Sequence, residues 1–329
     1  MKRLTSSLLI CIALLGCTDY SDKPKEIQTR EKISIAYGDQ PSAVLISSAI
    51  ESKAFQLVNL DIDPIVYPSG KMAIEASIEG KVSPDVIVAS DIAFLANHEL
   101  LPEYKIIATA YESDNINVIV SLHEPKGAHD SSLLSSANNL RCLENRTLCT
   151  QKLSALHFFG QVLVERNNVT GTSYKYYKVN ELNEKLLSGE CDAITSREPF
   201  ISELKRQTNS NELEIIQFPG VYLQYELILL HNRISDKLAE RLLKGLMFAE
   251  EHATANSQYP ESIIEVSLHQ TLIPLFDREL EWIEHLHESA PLSILHEHST
   301  HHTNSYPLVR TAPLENISPH RVTVIVYED

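Results

Sequence analysis

A chain of 329 residues with 28 basic and 44 acidic side chains carries a formal charge of −16. That balance argues against a nucleic-acid binder, which needs cationic groups to neutralise phosphates. With 43% hydrophobic residues the chain can bury a substantial core, as two domains or one large one, and ten glycines and fifteen prolines argue against a low-complexity main body.

At the amino terminus Lys2 and Arg3 precede an apolar run, LLICIALL at 8–15. It is too short to span a bilayer, which takes ~20 residues, and reads as a secretory signal. Leu14, Leu15, Gly16 and Cys17 resemble the bacterial lipobox. That resemblance implies removal of residues 1–16 and acylation of Cys17, which would hold the protein to a lipid bilayer on the extracytoplasmic side; the alternative is an ordinary signal followed by a chance cysteine. Loss of Lys2 and Arg3 leaves 26 basic against 44 acidic groups, a balance of −18. Residues 18–32 are polar and aperiodic and read as a tether reaching ~20 Å. Thr18 stands where aspartate signals inner-membrane retention, so in a source with two membranes the anchor is expected in the outer one.

The body opens with a strand at 33–37 (ISIAY) and a turn, 38–42, into a helix over 43–51. A second strand covers 62–67. The Ser69–Gly70 turn then starts a helix through Met72, Ile74, Ala76 and Ile78 to a stop at Gly80–Lys81. Residues 85–89 (DVIVA) have the character of a buried parallel strand, ending at Ser90–Asp91 before a helix at 92–96. Ser69 and Ser90–Asp91 are thus expected at the carboxyl ends of neighbouring parallel strands, where open α/β sheets bind ligands and helix starts offer N–H groups. Further strands are expected at 106–109, 117–120, 146–150, 175–179, 191–195 and 221–230. Helices are expected from about His157, over 181–187, over 236–255 with Leu238, Leu242, Leu246 and Ala249 on one face, and around 279–287; residues 319–326 read as a terminal strand.

Two stretches carry a family resemblance. Pro68, Ser69, Gly70, Ala73, Ala76, Gly80, Asp85 and Asp91 follow the pattern P-x-S-G-x-x-A-x-x-A-x-x-x-G-x-x-D-x-x-x-x-x-D, except that Pro68 directly adjoins Ser69 and two extra residues stand before Asp85. Gly189, Glu190, Asp192, Ala193, Ile194, Glu198, Pro199 and Phe200 match G-E-x-D-A-I-A-T-W-E-P-F. Both patterns resemble the solute-binding proteins of ABC importers of the nitrate, taurine and thiamine-pyrimidine class. The resemblance implies an α/β fold of the periplasmic-binding-protein type II, two doubly wound lobes joined by a two-strand hinge. Residues 33–111 with 220–329 would form lobe one and 112–219 lobe two. It further implies a small solute held between the lobes and handed to an ABC permease and its ATPase, with no catalytic residue and no cofactor.

On the same basis the candidate ligand contacts are Asp39, Ser42, Ser69, Gly70, Ser90, Asp91, Ser113, Asp114, Ser154, Arg197, Glu198 and Tyr222. Each has a plainer reading. Asp39 and Ser42 suit a solvated turn and a helix cap, Glu198 suits an internal ion pair with Arg197, and His157, though not a candidate contact, suits packing under its loop. Two departures from the family pattern bear on the ligand. Leu153 replaces the loop glycine that lets an anion approach the backbone, and Arg197 replaces a tryptophan; Arg197 can still stack on a planar ring or clamp a carboxylate or sulfonate. Asp39, Asp91, Asp114 and Glu198 would make the cleft rich in carboxylates, so the expected ligand has a cationic or hydrogen-bond-donating part, an aminopyrimidine or amino-sulfonate before nitrate.

Six of the fourteen histidines fall within 18 residues, at 285, 287, 296, 298, 301 and 302. His296, His298, His301 and His302 form a credible zinc or copper capture sequence, although no cysteine accompanies them. A metal-binding protein and a sensory lipoprotein of the same fold are therefore the alternative functions. With Cys11 removed and Cys17 acylated, Cys142, Cys149 and Cys191 remain. Either a Cys142–Cys149 or a Cys149–Cys191 disulfide is open in an oxidising compartment.

Overall fold

A computed structural model describes residues 29–122, 140, 143–209 and 212–252. The leader, the tether, Cys17, Cys142, the histidine cluster and the elements expected at 279–287 and 319–326 lie outside the described residues.

The chain builds two five-stranded sheets. In chain order the first sheet takes β1 (Glu31–Gly38), β2 (Leu60–Tyr67), β3 (Val86–Ser90), β4 (Tyr104–Ser113) and, much later, β10 (Gln224–His231). The second takes β5 (Val118–Leu122), β6 (Thr147–Thr150), β7 (Ser173–Tyr176), β8 (Ala193–Ser196) and β9 (Leu213–Gln217). Their orders are β2-β1-β3-β10-β4 and β7-β6-β8-β5-β9. Each sheet has three parallel strands, then an antiparallel strand that has just crossed from the other sheet, then an edge strand. The two crossings are residues 114–117 and 218–223. Ser69 follows β2 and Ser90 ends β3, but β1 lies between those strands, so they are next-nearest rather than neighbouring.

Period-two alternation decides which face each side chain takes. Ile33, Ile35, Val86, Val88, Ile228 and Leu230 pack together on one face of the first sheet. There they meet α1 (Val44–Glu51), α2 (Ala54–Leu57) and α8 (Asp236–His252), whose Leu242, Leu243 and Leu246 are fully buried. The intervening Ala36, Ile87, Ala89, Leu227 and Leu229 face the other way. They join Ile92 and Phe94 of α4 (Asp91–Leu95), residues of α3 (Gly70–Ile78), and Phe158, Phe159 and Val162 of α5 (Ala155–Arg166). Because α5 belongs to the second lobe, this apolar cluster is shared by both, and the lobes are packed against one another. A third cluster lies in the second lobe, where Val118, Val120 and Ile194 meet Leu182 and Leu186 of α6 (Leu182–Leu187) and Leu204 of α7 (Phe200–Gln207).

Several boundaries differ from the periodicity. The strand expected at 175–179 is Ser173–Tyr176, followed by a 3₁₀ turn, Val179–Glu181. The return strand begins at Gln224 rather than 221, which leaves Tyr222 in the crossing segment. β4 runs on to Ser113, so the chain leaves the first sheet two residues beyond 111. α2, α7 and β9 were not expected; α2 and β9 are short, whereas α7 places Phe200, Ile201 and Leu204 on one buried face, a periodic signal that was present in the sequence.

Cys149 on β6 is bonded to Cys191, just before the neighbouring β8, which excludes the Cys142–Cys149 pairing. Closing a loop of sequence separation 42 removes about 4 kcal/mol of chain entropy from the unfolded state. Replacing both cysteines by serine is therefore expected to lower unfolding stability by about 2–5 kcal/mol in urea titration. An unchanged midpoint would show the bond to be idle in the fold.

Candidate functional site

Three serines of the resemblance occupy helix starts. Ser69 accepts from the Met72 N–H (3.3 Å), Ser90 from that of Ala93 (3.4 Å) and Ser154 from that of His157 (3.3 Å). Each side chain satisfies an orphan helix donor. All three are buried. Ser69 also lies 3.4 Å from the side-chain amide of Gln151, on the loop after β6, so a hydrogen bond crosses directly from lobe one to lobe two.

Gly70 has a packing role. A Cβ there would lie 2.6 Å from the Val88 carbonyl oxygen and 2.7 Å from Ala89 Cα, and one on Gly38 would lie 2.6 Å from Gly70 N. The ends of β1 and β3 and the start of α3 meet too closely for a side chain. Gly70→Ala is expected to cost about 1–3 kcal/mol, read as a lower denaturation midpoint. Wild-type stability in that variant would show the corner able to relax.

The replaced loop glycine has a structural consequence. Leu153 sits at φ +53°, the left-handed conformation glycine would adopt freely. The turn is kept in spite of its Cβ, and the Leu153 N–H donates to His157 Nδ1 at 3.2 Å. His157 is buried and stands edge-on to the rings of Tyr174 and Tyr176, with centroids 6.0 and 4.9 Å away.

Of the four carboxylates expected around the ligand, only Asp91 is buried. Asp39 and Asp114 are exposed, and Glu198 is half-buried. Asp114 accepts from the Gly220 N–H (3.1 Å), tying one crossing segment to the other, and Ser113 accepts from the Asn115 N–H (3.2 Å). Glu198 accepts from the Ser202 N–H (3.1 Å) in the first turn of α7. Asp91 is fully enclosed. It accepts from the Tyr222 hydroxyl and from the N–H groups of Ile92 (2.7 Å) and Tyr225 (3.4 Å). Tyr222 in turn packs edge-on against Phe158 of lobe two, centroids 4.9 Å apart. Asp91 therefore fastens the second crossing segment to lobe one.

Four buried polar groups, Gln40, Asn117, Gln224 and Glu226, escaped the sequence reading. Glu226 in β10 is 0% exposed and lies across from Ser90 in the strand register. Gln40 Nε2 donates to its Oε1 at 3.4 Å and to Ser42 Oγ at 2.9 Å. The Ser42 hydroxyl favours the charged form of the same carboxylate. Gln224 Nε2 donates to Glu226 Oε2 at 3.3 Å, and Asn117 Nδ2 donates to Gln224 Oε1 at 3.0 Å. Asn117 precedes β5 and Gln224 opens β10, so this chain of side chains joins the two crossing strands. Gln40 Oε1 and Asn117 Oδ1 are buried and make no hydrogen bond among the described residues. Arg197, at the carboxyl end of β8 in lobe two, is 2% exposed, and its charge acts on Glu226 and Tyr222 of the opposite side. The available signal was the pair Gln224 and Glu226, two residues apart in an otherwise apolar strand and hence on one face.

Burial sets the electrostatics. It raises the Asp91 carboxyl to about 7, against the hydrogen bonds from Tyr222, Ile92 and Tyr225, and the Glu226 charge adds to the rise. Burial likewise pushes Glu226 above the usual carboxylate range, although Arg197, Ser42, Gln224 and Gln40 all favour its charged form.

No protein-family model matches the sequence, and comparison with curated proteins also finds no match. Solved structures do match. The ligand-binding component of an ABC-type import system from Staphylococcus aureus, with zinc bound, superposes at TM-score 0.61 and 13% identity, covering 88% of this chain and all of that one. A putative sulfonate ABC transporter's periplasmic sulfonate-binding protein SsuA from Methylobacillus flagellatus gives 0.57 and 14%, covering 88% and 94%. The alkanesulfonate-binding protein SsuA from Xanthomonas axonopodis pv. citri, bound to MOPS, gives 0.53 and 15%, covering 79% and 94%. The chain has the periplasmic-binding-protein fold. Among the described residues no group of three or more histidine, cysteine, aspartate or glutamate side chains is placed to hold a metal ion.

The raised Asp91 carboxyl has a readable sign. Its folded value of about 7 exceeds the ordinary 3.8, so the folded state holds the proton more tightly. Stability attributable to Asp91 therefore rises as pH falls from about 7 towards 4, by on the order of 1 kcal/mol per unit. His231, lowered by burial, works in the opposite sense through 6.5 but equally in both proteins compared. On acidification from pH 8 to pH 5 the melting temperature of the wild type is expected to gain several degrees on that of Asp91→Asn. Parallel curves would remove Asp91 from the pH dependence.

Proposed function

We propose that the chain is a lipid-anchored extracytoplasmic solute-binding protein. It captures a small organic solute, amine- or sulfonate-bearing or heteroaromatic, between its lobes and delivers it to an ABC permease and ATPase. The observation that carries this reading is the buried polar joint. Ser42, Ser69, Glu226 and Gln40 from one lobe and Gln151, Ser154 and Arg197 from the other are all at most a few per cent exposed. Most of these groups bond one another or cap helices, but Gln40 Oε1 and Asn117 Oδ1 are buried with no partner among the described residues, and a solute enclosed by both lobes supplies one. A ligand touching both lobes stabilises only the closed arrangement, which gives a permease a conformation to recognise.

Arg197 supplies a planar donor for an anionic or aromatic part of the solute. Ser69, Ser90 and Ser154 are spent as caps, and we assign no catalytic residue. Anchoring rests on the lipobox resemblance at Cys17, and transport on the likeness to import-system binding proteins.

The test is a thermal-shift panel on the chain from Thr18 onward, unfolded and refolded under oxidising conditions to remove carried-over ligand. Amino-sulfonates, aminopyrimidines, nitrate and zinc each form one arm. A ligand at 100 times its dissociation constant adds about 2.7 kcal/mol, which moves the midpoint by roughly 5 °C. A shift with an organic solute is expected; a shift with zinc alone, or with none of the panel, would defeat the reading.

A further inference from the structure

We propose that Glu226 is the group that recognises a cationic nitrogen of the solute, and that the ligand's ammonium takes this position in exchange for a proton held by the empty protein. The inference rests on the solute-binding reading above and names the chemistry of that site.

The hydrogen-bond chain has a direction. Gln40 and Gln224 both turn their N–H₂ groups towards Glu226. Gln224 Oε1 then faces Asn117, which must present its own N–H₂. The leftover atoms are consequently both acceptors, Gln40 Oε1 and Asn117 Oδ1, each buried. Oriented this way the cluster has spare acceptors at its two ends and a carboxylate between them, which suits a group carrying several N–H donors.

The carboxylate is also loosely held. The amide contacts to Glu226 measure 3.3 and 3.4 Å, longer than the ~2.7–2.9 Å of hydrogen bonds to a fully engaged ion. Glu226 is thus held in place but weakly solvated by its neighbours, and an ammonium offers stronger donors than the amides do.

The charged and titratable side chains facing Glu226 are Arg197 from the end of β8, Asp91 from the start of α4, and the Tyr222 hydroxyl from the crossing segment. Gln40 and Ser42 from the turn after β1, with Gln224 and Asn117, complete its surroundings and carry no charge. Two enclosed acids against one enclosed base would leave a net negative charge out of water, so the empty closed protein keeps a proton on the pair. Entry of R–NH₃⁺ lets that proton leave to solvent while the total charge of the site is unchanged. Arg197 remains the counter-charge for an acidic end, so the favoured ligand is dipolar.

Two measurements decide it. Infrared spectra of the full-length chain in detergent micelles at pH 6 are expected to show a protonated-carboxyl stretch that is reduced in Glu226→Gln. An identical band in wild type and Glu226→Gln would overturn the proton half. Calorimetric titration then compares taurine with ethanesulfonate, and ethylamine with nitrate. Amine-bearing probes are expected to bind with proton release, with affinity rising from pH 6 to pH 8 by at most about tenfold per unit, and to lose at least tenfold in Glu226→Gln. Probes without the amine are expected not to bind. Binding of ethanesulfonate or nitrate without the amines, or amine binding indifferent to Glu226→Gln, overturns this inference and leaves solute binding standing. Binding by none of the four overturns the inference as well, and the wider panel above then judges solute binding separately.

Discussion

A buried carboxylate facing a buried guanidinium across two lobes is the constraint on which the rest of this structure turns. Glu226 stands at the start of β10 and Arg197 at the end of β8, in different sheets, and both are all but inaccessible to solvent. Charges of that kind are tolerated only with partners. Each lobe alone would leave one of them without its opposite charge, so the closed pairing of the lobes is where their electrostatics are best met. The apolar cluster that runs from Phe94 through Tyr222 to Phe158 holds the same two surfaces together without directional demands.

The exchange of strands between the sheets explains how such a pair can be positioned. β10 enters the first sheet directly from a crossing, between β3 and β4, and β5 does the same between β8 and β9. The first residues of each returning strand therefore lie at the joint, and Asn117 and Gln224 meet there. Asp91 fixes the second crossing through Tyr222 and Tyr225, while Asp114 links the crossings to each other at Gly220. Carboxylates that look alike in the sequence thus divide between fastening the hinge and facing the other lobe.

The departures from the family pattern also acquire physical content. Leu153 keeps a left-handed turn at a backbone cost, because the Ser154 hydroxyl donates to the Gln151 carbonyl before it and accepts from the His157 N–H after it, while His157 Nδ1 takes the Leu153 N–H. Arg197 brings a permanent charge to a place where an aromatic ring would bring none, and that charge favours the ionised form of Glu226.

Much of the scaffold was legible in the residues. The apolar strand runs ISIAY and DVIVA, the turns at Ser69 and Ser90 before helices and the amphipathic face of Leu238, Leu242 and Leu246 report local requirements of backbone and burial, which any chain must meet near where it stands in sequence. The resemblance carried the fold further, to two lobes. The chemistry of the joint was not legible in the same way. Glu226 sits in an apolar run, and nothing local says that β10 lies beside β3, that Ser90 is its register partner, or that Gln40, 186 residues earlier, donates to it. Likewise Cys149 had two partners open, and the adjacency of β6 and β8 chose Cys191. What the sequence by itself determined was the set of elements and their buried faces, because periodicity and capping act over a few residues. Which carboxylate is enclosed, which fastens a hinge and which meets a guanidinium only the tertiary structure decided, because desolvation and charge pairing depend on neighbours that folding alone brings together.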